Sequence, residues 1–181
     1  WGNDASERVS KAPTGAFSKL TLGWAHGCAV ASADGAVSCW GSSDQGQLNV
    51  PPDVKAPLGI AANYYATCAV KADETIKCWG LNVANQVTSP PTGAFKAVFG
   101  SGYHAFCAIR KDNDLLMCWG ANDGGIVTGR PLSTALKAVS LGRDYGCGLR
   151  LDTGAMICWG NVGPRGPAVG NESGRHLCHD R

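Results

Sequence analysis

The sequence predicts an all-β fold: a β-propeller, or an arc of one, built from blades of about 40 residues that are each stapled by a hairpin disulfide. Three observations predict it. The dipeptide Trp-Gly recurs at Trp1, Trp40, Trp79, Trp119 and Trp159, at intervals of 39, 39, 40 and 40 residues. In the last four cases a cysteine stands directly before the tryptophan (Cys39, Cys78, Cys118, Cys158), and a second lies ten or eleven positions earlier, at Cys28, Cys68, Cys107 and Cys147. Between the two cysteines of each pair sits a cluster of turn residues: Asp34-Gly35, Asp73-Glu74, Asp112-Asn113-Asp114 and Asp152-Thr153-Gly154.

Each unit reads as three short strands. The first is Phe17 to Leu22, with Leu58 to Ala62, Phe95 to Phe99 and Leu136 to Leu141 as its counterparts. The second carries Cys-Ala-Val or a close variant, and the third ends in Cys-Trp-Gly. Strands two and three form a hairpin, in which opposed positions share a constant index sum. Cys28 with Cys39, Cys68 with Cys78, Cys107 with Cys118 and Cys147 with Cys158 all centre on their own turn. Directly opposed residues on antiparallel strands stand roughly 4.5 to 5.5 Å apart at Cα, within reach of a disulfide. The alternative is four pairs of reduced, buried thiols.

Alternation then assigns the faces. Val30, Val70, Ile109 and Leu149 share a side with the first cysteines, and Val37, Ile76, Leu116 and Met156 extend it. Ala29, Ala69, Ala108 and Gly148 lie on the other side with the tryptophans. A small sheet that is apolar on both faces is sandwiched between others, so successive units stack face to face. The units run approximately 1–39, 40–78, 79–118 and 119–158, with a degenerate fifth at 159–181, in a single propeller domain or arc.

Composition narrows the function. Sixteen basic against fourteen acidic residues give a net charge of +2, too little basic excess for a phosphate backbone, so no nucleic-acid partner is expected. Apolar runs are too short to span a bilayer and no signal-peptide succession opens the chain, which reads as soluble and already processed. Nine cysteines without a CxxC spacing suit a disulfide framework in an oxidising compartment, so the expected location is extracellular or secreted, including the ectodomain of a membrane protein.

Units such as Gly23 to Leu48, which read Gly-x-x-His-x-Cys-Ala-Val, Asp-Gly-x-Val-x-Cys-Trp-Gly and Gln-Gly-Gln-Leu, resemble the repeats of the regulator of chromosome condensation superfamily. They most resemble its short, cysteine-bearing branch, which includes the crinkly-type receptor-kinase ectodomains and secreted bacterial proteins. The resemblance implies a propeller, typically of seven blades. The nuclear exchange-factor members have longer repeats without disulfides, so nucleotide exchange and nucleosome binding do not carry over.

No catalytic residue and no cofactor is expected: no Ser/His/Asp order, HExxH or phosphate loop is present. His26 and His104 read as occupants of one repeat position, with the imidazole bonding to an adjacent loop rather than acting as a base. The tail His176-Leu177-Cys178-His179-Asp180 matches no common zinc spacing, and no metal is expected. Asn171-Glu172-Ser173 is a glycosylation sequon if the chain passes through a eukaryotic secretory route. Trp24, Tyr64, Tyr65, Tyr103 and Tyr145 follow the first strands and recur on one face of the propeller. Together with the two histidines they are the candidate binding residues, set against the plainer reading of blade-to-blade packing; Trp24 and Tyr64 differ most between units and are the better contacts.

The expected role is binding or structure: a protein partner or self-assembly through propeller loops. The alternatives are a carbohydrate-binding module using the aromatic face and, behind it, a secreted enzyme inhibitor. Cys178 stands where the first cysteine of a fifth unit belongs, unpaired or paired outside the repeats, and the chain reads as a slice of something longer.

Overall fold

The computed structural model describes residues 4–161; Trp1 and residues 162–181 of the fifth unit, Asn171 and Cys178 among them, lie outside the described residues. Twelve strands form four three-stranded antiparallel meanders, each in simple sequence order. Blade 1 contains β1 (Phe17–Leu22), β2 (His26–Ala31) and β3 (Val37–Gly41). Blade 2 contains β4 (Gly59–Ala62), β5 (Ala66–Val70) and β6 (Ile76–Gly80). Blade 3 contains β7 (Phe95–Gly100), β8 (Ala105–Arg110) and β9 (Leu116–Gly120). Blade 4 contains β10 (Leu136–Leu141), β11 (Tyr145–Arg150) and β12 (Met156–Gly160).

The hairpin register is the one the index sums predict. Each cysteine pair is directly opposed and joined as a disulfide, with Cα atoms 4.0 to 4.1 Å apart. One residue of each hairpin turn has positive φ: Gly35, Glu74, Asp114 and Gly154, at +60° to +73°. Two of these are non-glycine, and each exploits the exposed turn carbonyl. Glu74 O accepts from Phe95 N, and Asp114 O from Leu136 N, so each turn anchors the first strand of the next blade. Glu74 also pairs with Lys111 on the neighbouring turn.

The glycine of Cys-Trp-Gly has a steric cause. Gly41, Gly80, Gly120 and Gly160 all have φ between +85° and +102°, and a Cβ there would come within 2.3 to 2.6 Å of a carbonyl oxygen at the end of the preceding turn. No side chain fits.

Blades join by a repeated contact in which the tryptophan of one blade packs on the disulfide of the blade before it. Trp79 clusters with Cys28 and Cys39, Trp119 with Cys68 and Cys78, and Trp159 with Cys107 and Cys118. Its indole N–H donates backwards to a loop carbonyl: Trp79 to Gln47 O at 3.0 Å, Trp119 to Gln86 O at 2.9 Å and Trp159 to Ile126 O at 2.9 Å. Trp40 makes the same bond to Arg8 O at 3.0 Å, so the segment before β1 stands in for a preceding loop. The core is therefore a series of inter-blade seams rather than one central cluster.

Candidate functional site

The turns between the first and second strands of the blades lie side by side, and a backbone ladder ties them together. Trp24 N donates to Tyr64 O at 3.2 Å, Tyr64 N to Tyr103 O at 3.0 Å, and Gly102 N to Gly142 O at 2.9 Å. This ladder sets the spacing of the side chains it carries. The Trp24 and Tyr64 rings stack with centroids 5.1 Å apart and planes 21° from parallel. Tyr64 meets Tyr103 edge-on at 5.8 Å, and the Arg143 guanidinium lies over Tyr103 at 5.4 Å from its centroid. One residue from each of four successive blades thus forms a continuous strip of aromatic rings closed by a cation.

Two further candidates back the strip. Tyr65 packs edge-on against Tyr64 at 4.6 Å, and His104 lies 4.1 Å from Tyr103 and 5.8 Å from Tyr64. His104 is buried, and burial holds its pKa below the usual histidine value, partly offset by the charge of Asp123. At the other end Trp24 is 60% exposed, which leaves an indole face open to a partner. Beside the strip is a depression of about 330 Å³ bordered by Leu22, Trp24, Asn63, Tyr64, Ser101 and Leu141. The buried Asn63 side chain caps Ala66 N through its Oδ1, at 2.9 Å, while its Nδ2 has no protein partner. The site offers stacking surfaces and one cation, and the Asn63 amide nitrogen lies buried beneath it.

The register corrects the sequence reading at two places. His26 pairs with Gly41, whereas in blade 3 the residue paired with the corresponding Gly120 is Ala105, so His26 and His104 occupy adjacent positions rather than the same one. The bond of His26 also goes to a strand, not a loop: its Nε2 lies 2.8 Å from the Thr67 hydroxyl on β5. Burial there pushes its pKa down to about 4, so the ring is neutral at pH 7 and ties blade 1 to blade 2. Tyr145 shares the register position of His26, since it pairs with Gly160. It therefore begins β11 on the disulfide side of blade 4, away from the strip. The position that sequence reasoning missed is Arg143, the blade-4 counterpart of Trp24, Tyr64 and Tyr103. Its signal was present in the spacing, three residues before Gly146, but a search for aromatic residues passes over an arginine.

Comparison with solved structures places these features in a known architecture. The chain is similar to the CRINKLY WD40 ectodomain of the Arabidopsis thaliana receptor kinase ACR4, at 26% identity and a TM-score of 0.68, over 85% of this chain and 53% of that one. Similarity to the ectodomain of the Physcomitrella patens receptor kinase CR4 is of the same order: 26% identity, a TM-score of 0.69, and 83% and 42% of the two chains covered. Cysteine-stapled blades and ectodomain relatives decide the matter. The chain is built of regulator-of-chromosome-condensation-like propeller repeats of the cysteine-bearing type. Yeast RCC1, at 18% identity and a TM-score of 0.64 over 87% of this chain and 48% of that one, shares the fold. The chain spans about half the length of these propellers. No family model matches the chain, and no curated protein matches it.

Proposed function

We propose that these RCC1-like blades form an extracellular protein-recognition module, and that its contact surface is the strip Trp24–Tyr64–Tyr103–Arg143. The observation that carries the reading is the strip itself: one side chain per blade, aligned by inter-blade backbone bonds, with a largely exposed tryptophan at one end and an arginine at the other. Tryptophan, tyrosine and arginine dominate protein-interface energetics: the two aromatics contribute large, rigid, amphipathic surfaces at low entropic cost, and arginine contributes a planar guanidinium that stacks and donates several hydrogen bonds. Four disulfides support an oxidising location. Two of the similar propellers are receptor-kinase ectodomains, and yeast RCC1 was solved bound to a protein partner.

The second reading is carbohydrate binding, favoured by the stacked Trp24 and Tyr64 beside a depression of about 330 Å³. Affinity capture from secreted and cell-surface protein, run with the wild type and with Trp24→Ala/Tyr64→Ala, separates the two when paired with a glycan array. The protein reading expects a set of captured proteins that the double variant loses while its melting temperature holds. Capture that survives the double substitution overturns it. Saturable glycan binding with no protein capture favours the carbohydrate reading.

A further inference from the structure

Trp24 is the exception among the described tryptophans. Trp40, Trp79, Trp119 and Trp159 each donate the indole N–H to a main-chain carbonyl of this chain. Trp24 is 60% exposed, and among the described residues nothing accepts from its indole N–H. Among the same residues the hydroxyls of Tyr64 and Tyr103 have no hydrogen-bond partner, and the Arg143 guanidinium, seated over Tyr103, has no ion-pair partner. The rings themselves are more fully occupied: Tyr64 is contacted by Trp24, Tyr65, Tyr103 and His104. The strip therefore presents ring edges and unused donors, one per blade, at steps of 5.1 to 5.8 Å.

We infer, resting on the reading of the strip as a protein-contact surface, that it binds a proline-rich segment in the polyproline II conformation, flanked by an acidic residue that meets Arg143. The indole N–H and the guanidinium can only donate, and the phenols can donate as well. Their complement is a chain that offers acceptors without donors. A proline has a carbonyl and no N–H, and polyproline II makes no internal hydrogen bonds, so its carbonyls stay open. Length agrees: such a chain rises roughly 3.1 Å per residue, so about two residues pass each step and about six span the strip. Pyrrolidine rings dock on aromatic-lined surfaces, and Leu22 and Leu141 in the adjoining depression extend the apolar wall. Both sides are preformed, because the main-chain ladder fixes the rings and proline fixes the ligand, which keeps the entropic cost of association low. The unpaired Arg143 adds the charge preference. A sugar stacks on open ring faces, and Tyr64, contacted by four other rings, is a poor platform for one.

Calorimetric titration of the whole chain with two capped peptides tests this, one an Asp-Asp pair followed by a run of prolines, the other the same pair followed by alternating glycine and serine. The expected result is saturable binding of the proline peptide and binding of the Gly/Ser peptide weaker by about tenfold or more. Trp24→Phe keeps a ring on Tyr64 and removes the N–H. It is expected to weaken the proline peptide by about threefold to tenfold, the worth of one hydrogen bond, with the urea midpoint unchanged. Arg143→Gln is expected to erase the preference for Asp-Asp over Asn-Asn ahead of the prolines. Equal affinity for the Gly/Ser peptide, or proline-peptide binding that neither substitution alters, overturns the proposal. No peptide binding up to millimolar concentration overturns it too, and if Trp24→Ala/Tyr64→Ala still loses its captured proteins, the protein-contact reading stands and only the proline-rich ligand falls. Saturable glycan binding without peptide binding overturns both.

Discussion

The indole N–H of Trp119 donates to the main-chain carbonyl of Gln86 at 2.9 Å, across the seam between the second and third blades, while its ring rests on the Cys68–Cys78 disulfide. Both groups are buried, so the bond replaces water on an acceptor that has no other access to it. Trp119→Phe retains most of the apolar contact and deletes only the donor. Leaving a buried carbonyl unpaired costs about 1 to 3 kcal/mol. Urea unfolding of the variant is expected to show a lower midpoint with an unchanged slope. Trp40→Phe is expected to cost less, because Trp40 is only half-buried and its acceptor belongs to the segment before β1. Equal losses at the two sites would mean that burial of the acceptor is not what gives the bond its value.

Much of this architecture is legible in the sequence because it is local. A separation of ten or eleven positions between the cysteines of a hairpin leaves one register that opposes them, and a Trp-Gly repeat marks where each blade ends. The partners of the tryptophans were not legible, since Trp79 and Gln47 lie 32 residues apart and the bond uses a main-chain carbonyl that any residue supplies. The strip was half legible. Trp24, Tyr64 and Tyr103 were recognisable as aromatics, but the offset between His26 and His104 depends on blade 3 having one more residue in its first turn. Gly23 N bonds back to His26 O over three positions, whereas Ser101 N reaches Ala105 O over four.

The disulfides are expected to contribute unequally. Replacing both cysteines of a pair by alanine restores the freedom of a short loop in the unfolded chain, a cost of about 2 to 4 kcal/mol. For Cys68→Ala/Cys78→Ala the loss of the surface on which Trp119 packs adds to this, whereas among the described residues no following blade packs on the Cys147–Cys158 pair. Thermal unfolding of the two double variants is expected to rank blade 2 well below blade 4. Equal melting temperatures would show that the tryptophan gains nothing from the disulfide beneath it.

Stability is expected to fall in mild acid through His26. Its folded pKa is about 4 against an ordinary value of 6.5, so the unfolded chain takes up a proton first. The contribution is therefore nil above pH 6.5, becomes increasingly destabilising as pH falls from 6.5 to about 4, and is complete below that, reaching about 3 kcal/mol. Asp73, which the Thr75 hydroxyl and Lys71 hold near pKa 2, acts in a separate window: its stabilisation is present above 3.8 and is lost toward 2. Urea midpoints measured from pH 7.5 to 4.5 are expected to decline in the wild type and to decline less steeply in His26→Asn, where the remaining slope comes from the buried His104, whose pKa is lowered in the same direction. A decline of the same size in that variant would assign the acid limb to other groups.

The glycine of Cys-Trp-Gly has two separable causes, backbone angle and crowding, and a pair of substitutions divides them. Gly125 has φ of +79° with open space where a Cβ would stand, so Gly125→Ala reports the angle alone, about 1 to 2 kcal/mol. Gly120 has φ of +94°, and its added Cβ would also lie 2.3 Å from the His104 carbonyl and 3.1 Å from Gln86 Cβ. The His104 carbonyl cannot retreat freely, because it accepts from Ala121 N at 3.1 Å, and Gln86 carries the acceptor for Trp119. Gly120→Ala is therefore expected to cost several times more in urea midpoint than Gly125→Ala, and to shift the fluorescence of Trp119 as the seam is forced apart. If the two alanines cost the same, crowding at the blade end is relieved cheaply and the angle alone accounts for the glycine.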